Sequence, residues 1–319
     1  GGFYVNTFFD FFFGFKYDSF EKGKGETMIK AIVMDMDGIL LDSNNKILPE
    51  TKKALIDLEK KGVSLILASG RSYTRLLPYA KELEMDKYHG YLLEVDGIAI
   101  YDVHEDERSV LKRMEPQEIE EVFTYLMGLD CESMACFDDG LFDYFNEDIY
   151  QLKVQLRKEM NLPDDYPWTA GPWAWLADMR DGYPKISYIK TFDEINRLVN
   201  KIQLMQDEDK LAIIYADLLD KFSNQFEIFR TCPRQLEILP KGFSKGKTLE
   251  RIMKQNGWQK DEVLAFGDGE NDVSLFEVVD NSYAMGQAKD YVKEKAAFVT
   301  KSNNEQGILE ALKQLGLAN

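Results

Sequence analysis

The 319-residue chain holds two histidines and three cysteines, and its basic residues are outnumbered by its acidic ones. Each scarcity removes a class of function. Cys131, Cys136 and Cys232 form an odd, scattered set without the paired spacing of a zinc site, and two histidines add little. They read as reduced thiols of a cytoplasmic protein rather than as a disulfide framework. Lys and Arg number 39 against 56 Asp and Glu, for a net charge of −17, and the basic residues are interleaved with acidic ones. A phosphate backbone would be repelled, so nucleic acid is not an expected partner. No run of about 18 apolar residues occurs, so no membrane span is expected either. What is present, 45% hydrophobic and 30% charged residues, fits a globular protein of one large or two ordinary domains with a substantial core.

Residues 1–27 stand apart. They are rich in Phe and Gly, Asp10 interrupts their apolar stretch, and they lack the basic start and small-residue cleavage site of a secretory signal. The leading glycines fit the remnant of a tag, with Met28 as a natural start. The other reading is an aromatic arm that packs on a partner or on its own domain.

From Met28 onward short apolar runs alternate with amphipathic stretches. Strands are predicted at 31–34, 63–68 and 91–94, and helices at 49–61 and 72–83, the latter with Pro78 as a potential kink. Asp96-Gly97 suits a tight turn into a strand at 98–101. The alternation returns with strands at 263–266 and 282–285 and helices at 272–279 and 304–315. Such alternation implies a Rossmann-like, doubly wound α/β sheet with ligands at the carboxyl ends of its strands. The middle reads differently. It offers a helix at 116–127, a second helix opened by the capping box Thr191-Phe-Asp-Glu194 and carrying Ile195, Leu198, Val199 and Ile202, and strand-like pieces at 211–215, 225–229 and 235–239. A discontinuous core domain, 28–102 with 240–319, is therefore expected around an inserted α+β cap domain, 103–239.

Four short stretches carry the chemistry. Asp35 and Asp37 follow the first strand, Ser69-Gly70-Arg71 the second, and Gly267-Asp-Gly-Glu-Asn-Asp272 the strand VLAF. Ser244-Lys245-Gly246 opens the helix before that strand. The last acidic loop is no EF-hand, because Val273 and Val279 stand where Gly and Glu are needed. Gly242–Thr248 is one residue short of a P-loop, and Gly267-x-Gly269 lacks the third glycine of a dinucleotide fingerprint. Together the four stretches suit phosphoryl transfer. Mg²⁺ favours one or two carboxylates, waters and a substrate phosphate, which Asp35 and Asp268 can serve with Asp272 as an outer partner. A carboxylate can attack phosphorus. Lys245 offsets the charge, and Ser69 with the N–H groups of Gly70 and Arg71 can hold phosphoryl oxygens. Asp37 can protonate the leaving oxygen and deprotonate the attacking water. One acid/base contributes about 10²–10⁴-fold, against a need of up to ~10²¹-fold for monoester hydrolysis. Electrostatic positioning must therefore supply most of the effect.

The ordered runs D-M-D-G, A-S-G-R, S-K-G and G-D-G-E-N-D resemble the haloacid dehalogenase superfamily, and with LEILPKGFSKGKTL they look most like its Cof-type sugar-phosphate phosphatases. The resemblance spans 28–319. It implies Asp35 as nucleophile and Asp37 as acid/base, Ser69 and Lys245 on the phosphoryl group, and Asn271 orienting Lys245 or the phosphate. It also implies Mg²⁺ between Asp35, the Asp37 carbonyl and Asp268, with Asp272 in support. The short Asp37–Ser69 interval leaves no room for a cap there, so the cap is the insertion before Lys245. Three positions depart from the family pattern. Ile39 stands for Thr or Val, Asp96 for the Asn of a turn, and Gln287 for Asn; the last two put substrate contacts in doubt. Trp168, Trp173 and Trp175 are candidates to stack on a substrate ring. The implied activity is hydrolysis of a small phosphate ester through an aspartyl-phosphate, by a monomer or weak homodimer. A non-catalytic phosphometabolite sensor and a phosphotransferase are the alternatives.

Overall fold

The computed structural model describes residues 27–319, so both readings of the aromatic head fall outside the described residues. The described residues begin with β1 (Ala31–Met34), α1 (Pro49–Lys60), β2 (Ser64–Ala68), α2 (Tyr73–Glu82), β3 (Tyr91–Glu94), β4 (Ala99–Asp102) and β5 (Glu107–Val110). The middle supplies α3 (Pro116–Met127), β6 (Glu132–Phe137), β7 (Gly140–Tyr144), α4 (Glu147–Glu159), β8 (Lys185–Tyr188), β9 (Lys201–Met205), α5 (Glu208–Phe222), β10 (Phe226–Cys232) and β11 (Gln235–Pro240). Then follow α6 (Lys245–Asn256), β12 (Val263–Gly267), α7 (Val273–Val278), β13 (Asn281–Ala284), α8 (Asp290–Lys293), β14 (Phe298–Val299) and α9 (Gly307–Gln314).

Two sheets organise these elements. The larger runs β14-β13-β12-β1-β2-β3-β4-β5, parallel from β14 to β3 and antiparallel at the β3–β4 and β4–β5 edges. Its strands are buried on both faces because successive residues point opposite ways. Ile32 and Met34 pack with Leu55, Leu76 and Leu312 on one face, while Ala31 and Val33 pack with Leu249, Leu275 and Val292 on the other. That is the doubly wound α/β arrangement expected. It sets the ends of β12, β1, β2 and β3 side by side.

The smaller sheet runs β10-β11-β9-β6-β7-β8. One face is covered by α3 and α5, through Ile119, Phe123, Leu211 and Leu218 against Ala135, Ile202, Leu236 and Ile238. The other face carries Lys201, Gln203, Gln235 and Glu237, which line the cleft between the sheets.

Two local expectations are corrected. Residues 211–215, expected as a strand, lie in helix α5. Leu211, Leu218 and Phe222 recur at helical spacing and bury one stripe, which a five-residue window could not distinguish from a strand. The Thr191 capping box forms, but it closes a single 3₁₀ turn, Phe192–Glu194, instead of opening a helix. Beyond it Val199 bridges Met114, and Ile202 and Leu204 alternate into the core as β9. Pro78 lies inside α2 without ending it.

Candidate active site

Three of the four motifs sit where a strand of the larger sheet ends, and the fourth opens α6, which follows β11 of the smaller sheet. The Asp35 N–H donates to the Phe266 carbonyl of β12 at 3.4 Å, and its Oδ1 accepts the Met36 N–H at 2.7 Å, so the carboxylate is turned back over the strand end. The chain then makes a tight turn with Gly38 at φ +74°. A Cβ there would sit 2.5 Å from Asp268 Oδ2, so glycine is required by both conformation and space. Ile39, one of the departures from the family pattern, is buried in the core and makes no polar contact that a hydroxyl would be needed for.

Asp268 follows β12, the neighbour of β1. Asp272 immediately precedes α7, and its two oxygens are already engaged. Oδ2 accepts the N–H groups of Asp268 (3.0 Å) and Gly269 (3.1 Å), and Oδ1 takes Lys245 Nζ at 2.8 Å. Lys245, the first residue of α6, is buried and also lies 3.1 Å from Asp35 Oδ2 and 3.9 Å from Asp96 Oδ1. Burial alone would lower its pKa, but Asp272, Asp35 and Asp96 hold it raised, so the lysine stays an ammonium.

Asp35, Asp268 and Asp272 bring ligand oxygens within 4.8 Å of one another. One ammonium does not balance three carboxylates. Burial, then the Asp272 charge, pushes the Asp35 carboxyl well above its usual range, and the same two causes raise Asp268 to about 7. Hard oxygen donors with unbalanced negative charge fit a divalent cation such as Mg²⁺. Asp272, with both oxygens in use, fits the outer place.

The Asp37 carboxylate stands apart from this trio and is paired with the Arg71 guanidinium. Ser69 is buried at the end of β2, and its Oγ accepts the Arg71 N–H at 3.1 Å. Its own N–H donates to the Leu93 carbonyl, so the loop donors that remain are the Ser69 hydroxyl and, among the described residues, the Gly70 N–H. The Arg71 N–H, counted on for phosphate from the sequence, is engaged within the loop.

The remaining candidates divide. Asn271 donates to Asp96 Oδ1 at 3.2 Å and so reaches Lys245 through Asp96. Asp96, in the β3–β4 turn at φ +53°, does face the cleft and adds a buried carboxylate there. Gln287 donates to Asp268 Oδ2 at 3.2 Å and to the Gly38 carbonyl, tying the two acidic loops together. Trp168 packs against Arg157 and Tyr150, and Trp175 lies under Arg234. Trp173, 74% exposed, lines the cleft.

The cleft measures about 1160 Å³ and contains residues no motif announced: Lys201, Gln203, Gln235 and Glu237 from the smaller sheet, and Arg230 and Tyr291 at its sides. The sequence signal for them is weak, because charges on an alternating strand read equally well as a solvent face. All three cysteines are free thiols. No helix among the described residues is long and apolar enough to cross a membrane.

Comparisons with known proteins agree with the geometry. Residues 32–312 match the family model of haloacid dehalogenase-like hydrolases. The 5-amino-6-(5-phospho-D-ribitylamino)uracil phosphatase YwtE of Bacillus subtilis is 26% identical over 290 residues, 90% of this chain and 98% of that protein. Pyridoxal phosphate phosphatase YbhA of Escherichia coli is 25% identical over 292 residues, 88% and 96% of the two chains. A haloacid dehalogenase-like hydrolase from Bacteroides thetaiotaomicron superposes with a TM-score of 0.67 at 26% identity, covering 90% of this chain and 99% of that one. With three motifs at adjacent strand ends and the fourth brought to them by Lys245, the chain belongs to the haloacid dehalogenase-like hydrolases, and among them it is a phosphatase.

Proposed function

We propose that the protein hydrolyses a small phosphorylated metabolite, a sugar phosphate by class, through an aspartyl-phosphate. The observation that carries this reading is the position of the Asp35 carboxylate, between the Lys245 ammonium and two further carboxylates. An Asp35 oxygen attacks phosphorus and the ester P–O bond breaks. The leaving oxygen takes its proton from Asp37, one residue beyond the nucleophile. Asp37 then removes a proton from water, which attacks the aspartyl-phosphate and releases inorganic phosphate, restoring Asp35. Lys245 and the Ser69 hydroxyl hold phosphoryl oxygens throughout, with the Gly70 N–H beside them. The ion pair of Arg71 with Asp37 ties the acid/base to this loop. Asp35, the Asp37 carbonyl and Asp268 would hold Mg²⁺, which when bound supplies positive charge against the phosphoryl oxygens.

The proposed division of labour assigns chemistry to 28–102 and 240–319 and choice of ester to 103–239, whose open sheet face and Trp173 line the cleft. The test is phosphate release from a panel of sugar phosphates, nucleotides and cofactor phosphates, with and without Mg²⁺. Asp35→Asn is expected to abolish turnover, and Asp37→Asn to slow it by about 10²–10⁴-fold. Appreciable hydrolysis by a clean Asp35→Asn preparation would refute the nucleophile, and flat inactivity of the wild type across the panel would refute the function.

A further inference from the structure

The loop after β2 is held from the opposite sheet. Lys201, the first residue of β9, is 2% exposed, and its ammonium donates to the Gly70 carbonyl at 3.0 Å and to Glu237 Oε1 at 2.9 Å. The same Glu237 oxygen accepts the side-chain amides of Gln203 (3.1 Å) and Gln235 (3.2 Å). Lys201 is therefore anchored in a buried network of the smaller sheet and reaches across the cleft with one N–H. Burial would lower its pKa, but the Glu237 carboxylate and then Tyr183 and Asp96 keep it raised, so the donor stays charged.

The consequence follows from peptide geometry. In a trans peptide the carbonyl and the next N–H point in opposite directions. Fixing the Gly70 carbonyl toward Lys201 thus fixes the Arg71 N–H, which donates to Ser69 Oγ at 3.1 Å. Because Ser69 Oγ accepts that bond, its own O–H is left to donate into the cleft. Gly70 also leaves room for this arrangement, since a Cβ there would meet Asp96 Oδ2 at 3.0 Å and Lys201 Nζ at 3.5 Å.

We propose that Lys201 is a positioning residue for phosphoryl transfer: by holding the Gly70 carbonyl from the smaller sheet, it orients the Gly70–Arg71 peptide and aims the Ser69 hydroxyl at the phosphoryl group. The inference rests on the reading of Ser69 as a phosphoryl-binding residue. It also means that the phosphate pocket is complete only when the two sheets are closed on each other.

A purely structural role, neutralising Glu237, is the competing account, and charge-balanced variants separate the two. Lys201→Met, Glu237→Gln and the double variant are compared by their inhibition constants for inorganic phosphate and by hydrogen exchange of the 69–72 amides, with melting curves as the check of folding. The double variant removes the buried ammonium and its carboxyl partner together, so it remains informative where Lys201→Met alone fails to fold. Glu237→Gln is expected to change phosphate inhibition little. The double variant is expected to weaken it by about ten- to hundredfold, the loss of one hydrogen bond from a charged donor, and to speed exchange of the Arg71 amide. Wild-type inhibition and wild-type exchange in the folded double variant would overturn the proposal. A wild type that hydrolyses no ester and is not inhibited by phosphate would instead overturn the proposed function, and the Arg71 exchange rate would still decide whether Lys201 holds the loop.

Discussion

Gly38 shows how closely a single residue is constrained here. It stands at φ +74°, and the atom its side chain would add lies 2.5 Å from Asp268 Oδ2. Gly38→Ala is expected to cost about 1–2 kcal/mol of stability from the left-handed backbone. It should also displace Asp268 and lower turnover by up to about 10²-fold, since small misplacements of reacting groups are expensive. A melting curve and a Mg²⁺ titration of activity check the two effects; an unchanged Mg²⁺ dependence would argue that Asp268 does not hold the ion. Asp35, Ser69, Lys245 and Asp268 were legible in the sequence because each follows an apolar run or opens a helix in a short, local pattern. The Arg71–Asp37 pair was not, since nothing in either segment announces its partner across 34 positions.

At the scale of elements, α5 is the instructive case. Its first turns read as a strand in a short window, yet the full stripe of Leu211, Leu218 and Phe222 makes a helix that caps the smaller sheet. That correction matters for the site, because Tyr215 on α5 donates its hydroxyl to Glu270 in the Gly267–Asp272 loop. Tyr215→Phe removes one contact between the sheets and leaves every proposed catalytic group in place. A KM increase of about two- to tenfold with kcat unchanged is expected, the worth of one ordinary hydrogen bond. Steady-state kinetics on any accepted ester tests this, and a selective fall in kcat would place Tyr215 in the chemistry instead.

For the molecule as a whole, the raised carboxyls of the site contribute to the pH dependence of stability, and a further share should come from a group remote from the cleft. Glu59 on α1 is 2% exposed, and both its carboxylate oxygens lack a hydrogen-bond partner among the described residues. Burial, with Glu84 and Asp86 adding negative charge, raises its pKa from 4.5 to about 8. The folded protein therefore holds this proton more tightly than the unfolded chain. Stability is lost as pH rises from the unfolded value through the folded one, and the loss is complete above about pH 8. Each tenfold tightening of the proton is worth about 1.4 kcal/mol, so the loss amounts to at most about 5 kcal/mol. Denaturant melts between pH 5 and 8.5 are expected to show the decline in the wild type and a flatter profile in Glu59→Gln. Parallel profiles would show that Glu59 does not carry it.

The sequence by itself determined which strands end in candidate catalytic groups, which residues those are, and which family they belong to. These are local patterns, in which a buried strand must end in a polar turn and the turn residues carry the chemistry. Tertiary structure alone decided what surrounds them. Asp96 became a buried neighbour of Lys245, Gln287 a support for Asp268, and Lys201 a hold on Gly70 from 131 positions away. The physical reason is that a polar side chain on an alternating strand has two faces open to it, and only packing of α3 and α5 against the other face turns this one toward the cleft.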